Sequence, residues 1–244
     1  MLAASQGQAL WYLTRGTGSV TLIGLSLSVV LGVADVGRWH SRRWPRFVVD
    51  GLHRNVSLGV LVLLTAHVLT TLLDGYAPIS LLNTVVPFTG AYRPIWLGLG
   101  ALALDVLVAV SLSSVLRGRL GRRAWRTIHW AAWACWPLAV VHGLGTGTDA
   151  AGSWMLVLTG ACVLAVIAAA TTRTVGGWPA QRRLRAGALA AMAIGPLVLV
   201  VWLGQGPLAP GWARRAGTPA RLLSHRGPAT RVGAAVPARV AVVR

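Results

Sequence analysis

The sequence contains no lysine and no glutamate, and its only acids are the five aspartates Asp35, Asp50, Asp74, Asp105 and Asp149. That double absence, beside an excess of Ala, Gly, Arg, Val and Leu, looks like a GC-rich coding bias and carries little functional information. Charged residues make up only 11% of the chain against 55% hydrophobic. This excludes an ordinary soluble domain and places the chain with polytopic membrane proteins. Cysteine is scarce as well. Cys135 and Cys162 lie in separate apolar runs with no CxxC pair, which excludes a disulfide framework and leaves them as packing residues. No cleavable signal peptide is evident, because the first apolar run lacks a basic leader and continues as a span.

What the chain does have is arginine, giving a net charge of +18. So basic a protein raises nucleic acid as a partner. Most of these arginines, however, sit in short loops between apolar runs, where they orient a membrane protein instead. Residues 1–15 read as a short leader and residues 16–204 as six spans. The spans are expected near Gly16–Ala34, Phe47–Asp74, Ile95–Leu116, Ala124–Leu144 and Trp154–Thr172, with a short sixth run at Ala186–Leu203 that either crosses, leaving the basic tail outside, or fails to cross. Glycine and serine in the first span let a neighbouring backbone approach closely. Gly195-Pro196 is expected to interrupt the sixth.

Loop charge sets the orientation. Arg38, Arg42, Arg43 and Arg46 follow the first span, Arg117, Arg119, Arg122, Arg123 and Arg126 follow the third, and Arg173, Arg182, Arg183 and Arg185 follow the fifth. The loops between them hold only Arg93, so the arginine-rich loops are cytoplasmic and the N-terminus is outside. Residues 205–244, rich in Pro, Gly and Arg, are expected to be disordered. His40 and His225 fall in a loop and in this tail and are expected to be solvated.

The other four histidines are unusual. His53 and His67 lie fourteen positions apart in the second span, and His129 and His142 thirteen apart in the fourth. Either spacing is about four helical turns, so both rings of a helix point to one side. One histidine in a span is most simply a helix–helix hydrogen bond; four in two spans are costly unless used. The second and fourth spans run parallel, so His53 shares a depth with His129 near the inner face, and His67 with His142 near the outer face. A haem slotted between the helices at each level takes one imidazole from each side. The two levels are separated by about 20 Å along the helices, most of the way across a hydrocarbon layer of about 30 Å.

With LGRRAWRTIHW leading to His129 and VVHGLGTGTD carrying His142, these spacings resemble the ferric reductase-like transmembrane domain. That family includes NADPH oxidases, ferric reductases and, more distantly, the haem-binding subunit of the periplasmic methionine sulfoxide reductase system. The resemblance covers about residues 10–205. It implies an all-α, six-helix membrane bundle holding two stacked b haems between the second and fourth helices, with His53 and His129 on the inner iron and His67 and His142 on the outer. Members of the oxidase branch continue into flavin and nucleotide domains. This sequence has no Gly-rich dinucleotide fingerprint, so the expected electron partner is a separate flavoprotein or a quinone.

Around the histidines, Arg54, Arg123 and Arg126 are candidates for binding haem propionates through bidentate forks, or are cytoplasmic anchors. Arg93 could serve the outer haem in the same way. Asp105, in the third span, is open between a protonated acid, an ion pair, a contact with water and a proton relay. Trp130, Trp133 and Trp136 are expected to pack on porphyrin or on neighbouring helices. Two competing readings stand beside the transmembrane oxidoreductase: a quinol-linked cytochrome similar to the b561 group, and a non-redox membrane protein using histidines as polar glue. No internal repeat is evident to favour the latter.

Overall fold

The computed structural model describes residues 2–36, 45–176 and 178–224. His40, Arg38, Arg42, Arg43, His225 and the remainder of the tail lie outside the described residues. Among those described, the structure is all-helical, without a strand. Its elements are α1 (Leu2–Val36), α2 (Arg46–Leu73), α3 (Leu81–Val85), α4 (Pro94–Val115), α5 (Arg117–His129), α6 (Ala132–Thr146), α7 (Ser153–Val175), α8 (Arg182–Gln205), α9 (Trp212–Arg215) and α10 (Ala220–Ser224).

Among the described residues, five helices are long and apolar enough to cross a membrane: Gln8–Val36, Phe47–Leu73, Pro94–Val115, Ser153–Val175 and Arg182–Gln205. The chain is thus built as a multi-pass membrane protein. The expected fourth span is not among the five, because it is divided into α5 and α6. At the junction the bonds shorten to the three-residue step: Ala131 N–H donates to Ile128 O, Trp133 N–H to Trp130 O and Ala134 N–H to Ala131 O. Pro137 stands in the first turns of α6. It has no N–H for Trp133 O, and its ring crowds that carbonyl, which accounts for a break one turn earlier. Further back, Gly121 adopts φ 75° inside α5, a left-handed conformation glycine takes without steric penalty, and the chain turns there.

Two boundaries differ from the sequence expectation. Residues 2–15, read as a leader, are helical and continuous with the first span. The described part of the tail, read as disordered, carries α9 and α10. Trp212 packs on Trp96 and Trp202, with ring centroids 5.1 and 6.1 Å apart, and burial of these three rings holds the segment. In addition, α8 runs unbroken through Gly195-Pro196.

In the bundle α1 is the central helix, packing on α2, α6 and α7, while α4 packs on α6 and α8 on α7. One core cluster joins Leu22, Val140, Leu144, Cys162 and Val163 from α1, α6 and α7. A second joins Leu25, Val60, Ala103 and Cys135 from α1, α2, α4 and α6. No residue of α8 is fully buried; Leu199, Trp202 and Leu203 pack against the first of these clusters, and the exposed apolar side chains of α8 are left for lipid. The far end of α8 returns to the end of the bundle where α4 begins and α6 finishes. Arg93 makes that junction. Its backbone N–H donates to Gly217 O, its Nε to Thr218 Oγ1 at 3.0 Å, and its Nη1 to Gly145 O and Thr146 O at 2.9 and 3.1 Å. Only 3% of Arg93 is exposed. Its guanidinium is committed to this clamp, which removes it as the outer propionate partner the sequence suggested.

Candidate functional site

The four span histidines form two tiers. At the inner tier the His53 and His129 rings lie with centroids 6.5 Å apart and planes at 74°. An iron bonded to one nitrogen of each ring at about 2 Å, as imidazole–metal bonds run, would hold the ring centres about 6 Å apart. At the outer tier His67 and His142 line one cavity of about 280 Å³ enclosed by α1, α2, α4 and α6. Its walls are largely apolar, with Leu22, Leu25, Leu64, Leu104 and Leu107 among them, and it reaches the loops at Tyr76, Ile79 and Asp149. The core cluster of Leu25, Val60, Ala103 and Cys135 lies between the tiers.

Each of three histidines is held by the same device on the helix antiparallel to its own. His67 Nδ1 is 2.8 Å from Thr14 O, His53 Nδ1 is 2.9 Å from Ser28 O, and His142 Nδ1 is 2.9 Å from Trp96 O. Four residues after each of these carbonyls comes a glycine: Gly18, Gly32 and Gly100. A Cβ at Gly18 would stand 2.9 Å from the His67 ring and one at Gly32 3.3 Å from His53, while one at Gly100 would collide with His142. Helical side chains lean back over the turn before them, so the residue at i+4 covers the carbonyl of residue i. A glycine there uncovers the second lone pair of a carbonyl already used within the helix, and an imidazole N–H can reach it.

A histidine that donates Nδ1–H to a carbonyl presents Nε2 as an acceptor, the tautomer and orientation found where histidine ligates a metal. His129 differs: its buried Nδ1 has no hydrogen-bond partner among the described residues. Trp125 stacks on it instead, at 5.1 Å and 30°, and gives its own Nε1–H to Ser114 Oγ.

No group of three or more His, Cys, Asp or Glu able to hold a metal ion occurs among the described residues. Each tier offers two imidazoles, which would hold a metal only if its other donors came from elsewhere. Of the arginines expected beside the inner pair, Arg54, Arg123 and Arg126 are exposed, and none makes a side-chain hydrogen bond or ion pair among the described residues. The cation at the outer cavity is Arg15, which the sequence reading left in the leader. It pairs with Asp149, donates to Thr148 Oγ1 and lies 3.8 Å over the Trp11 ring. Asp74 caps α2 at the same rim, where burial raises its carboxyl above the usual range.

Asp105 is half-buried in α4 and makes no hydrogen bond or ion pair among the described residues. Of the tryptophans, Trp136 donates Nε1–H to Ser26 Oγ at 2.9 Å, Trp130 packs on Trp178, and Trp133 is exposed.

The glycine partners were missed from sequence although a signal existed. Gly18 and Gly32 are separated by fourteen positions, as are His53 and His67, which is what an antiparallel pair in register requires. In comparisons with known proteins, no family model, no curated protein and no solved structure matches this chain.

Proposed function

We propose that this protein is a membrane-embedded b-type cytochrome that passes electrons across the cytoplasmic membrane through two bis-histidine haems. The observation that carries the reading is the double tier of histidines, three of them with Nδ1 tied to a backbone carbonyl and Nε2 left to ligate. In this reading His53 and His129 hold the inner iron, His67 and His142 the outer, and α5 with α6 supplies the fourth of six crossings. The bound haems supply one-electron chemistry at potentials set by ligand basicity and burial.

The protein's own part is ligation, orientation and exclusion of water. Thr14, Ser28 and Trp96 fix ring orientation through their carbonyls, and Leu25, Val60 and Cys135 keep the space between the tiers dry. Arg15 offers the outer tier a cation for a carboxylate, while Arg54, Arg123 and Arg126 stand at the inner end as propionate partners or lipid anchors. The electron partner is a separate flavoprotein or a quinone, in a ferric reductase-like arrangement with the arginine-rich loops in the cytoplasm. The largely apolar outer cavity, reaching the loops, favours a quinol-linked cytochrome as a second reading.

Protein purified from haem-replete cells should carry two haems per chain by pyridine haemochrome, with a low-spin bis-imidazole spectrum. His67→Ala should cost one haem of the two and leave the inner one. A haem-free preparation would overturn the proposal. Reduction of the haems by quinol in proteoliposomes, without a flavoprotein, would select the quinol-linked form.

A further inference from the structure

His129 is the one tier histidine without the glycine-and-carbonyl device, and the register of its helix pair indicates why. In the first hairpin Gly32 faces His53 and Gly18 faces His67. In the second, Gly100 faces His142. Thirteen residues along α4 from Gly100, the position across from His129 is Ser113. The register is supported midway, where Cys135 Sγ donates to Ala103 O at 3.4 Å, again the carbonyl four residues before the position across from it. By the same count the carbonyl meant for His129 is that of Ala109, and the residue over it is a buried serine whose hydroxyl donates to Val110 O. A side chain at 113 would keep that carbonyl covered, and His129 Nδ1 is buried and unpartnered among the described residues.

A second observation is independent of hydrogen bonding. His53, His67 and His142 lie within continuous helices, whereas His129 is the last residue of α5, beside the break at Trp130-Ala131. Its restraint is the stacked ring of Trp125, which fixes the imidazole plane without fixing rotation within that plane.

We infer that His129 is the exchangeable ligand of the inner tier, so that a small neutral molecule such as carbon monoxide replaces it on the reduced inner iron while the outer tier stays closed. The inference rests on the two-haem reading proposed above. In the exchange the bond from iron to His129 breaks, a bond from iron to the incoming carbon forms, and no electron is transferred. Loss of an outer-shell partner weakens ligand binding by about 10- to 100-fold, and this sets the expected contrast between tiers.

The test uses the full-length protein in detergent, its haem content measured first, then reduced with dithionite and titrated with carbon monoxide. The expected result is that half of the haem converts to the carbon monoxide form. Ser113→Gly, which uncovers the Ala109 carbonyl, should lower the apparent affinity for carbon monoxide about tenfold or more. Gly32→Ala, which presses on the ring of the other inner ligand, should leave the outer half unreactive. Protein with two haems and no carbon monoxide form would overturn the inference while leaving the two-haem reading intact. So would conversion of all the haem, or a Ser113→Gly protein with two haems and unchanged affinity. A preparation without haem would overturn both.

Discussion

A methyl group at Gly100 would run into the His142 ring, whereas one at Gly59, on the histidine-bearing α2, meets open space. The difference makes a controlled experiment at the scale of one residue. Gly100→Ala should push His142 off the Trp96 carbonyl and weaken the outer site by about tenfold or more, bringing haem per chain from two towards one. Gly59→Ala should keep two. An equal loss in both variants would mean that helix propensity or folding, not ring placement, is being measured.

The same-side placement of His53 and His67, both of which reach α1, was legible because a helical period of 3.6 makes such spacing readable within one segment. The place of Arg15 was not legible. Its partner Asp149 lies in the loop before α7, and the hydropathy boundary that defined a leader put a side chain of the cavity outside the bundle. Arg93 failed in the opposite way. A lone cation in an uncharged loop invites an anionic ligand, yet backbone carbonyls at the end of α6 and the hydroxyl of Thr218 occupy its donors.

At the scale of elements, spans two, three, five and six fall within about four residues of membrane-length helices, since length and hydropathy suffice there, whereas the first helix begins well before the expected Gly16. The fourth was drawn as one helix, but the segment breaks at Trp130-Ala131, ahead of Pro137. The described tail was misread because Pro, Gly and Arg dominate its composition, while one residue, Trp212, decides its packing. The Arg93 clamp joins three elements and can be tested as such. Arg93→Ala strands buried carbonyls and removes charge-assisted bonds, at a cost of about 2–3 kcal/mol. It also releases a residue held at φ 42°, a conformation costing about 1 kcal/mol or more outside glycine, so the net loss is smaller than the bonds alone suggest. Trypsin should then cut after Arg214 and Arg215 several-fold faster than in the parent protein. Unchanged cleavage would show that the tryptophan cluster holds the segment by itself.

For the whole molecule, the strongest geometric constraint is which ends of the bundle coincide. Arg15 with Asp149 brings the first half of α1 to the loop before α7, Trp202 at the end of α8 meets Trp96 in the first turn of α4, and Arg93 holds Thr218 beyond α9 at the same place. The arginine-bearing α5 begins where α4 finishes, at the opposite end. A membrane-impermeant maleimide applied to sealed vesicles should therefore label Ser80→Cys and Leu208→Cys from one side and Leu120→Cys from the other. Cys135 and Cys162 are buried and should stay silent. Labelling of Leu208→Cys together with Leu120→Cys would mean that α8 does not cross. Hydropathy and loop charge led to an expectation of six spans, of which five appear as membrane-length helices among the described residues, whereas the kinship of the two hairpins, glycine on one helix facing histidine on the next, was hidden because no single segment contains it.

The Arg93 clamp also bears on the order of assembly. The last turn of α6, four residues beyond His142, is fastened through Gly145 and Thr146 to an arginine whose other hand holds Thr218. A chain emerging N-terminus first thus completes its inner tier well before the latch of its outer one exists. Until Gly217 and Thr218 arrive, the outer cavity has one wall unfastened.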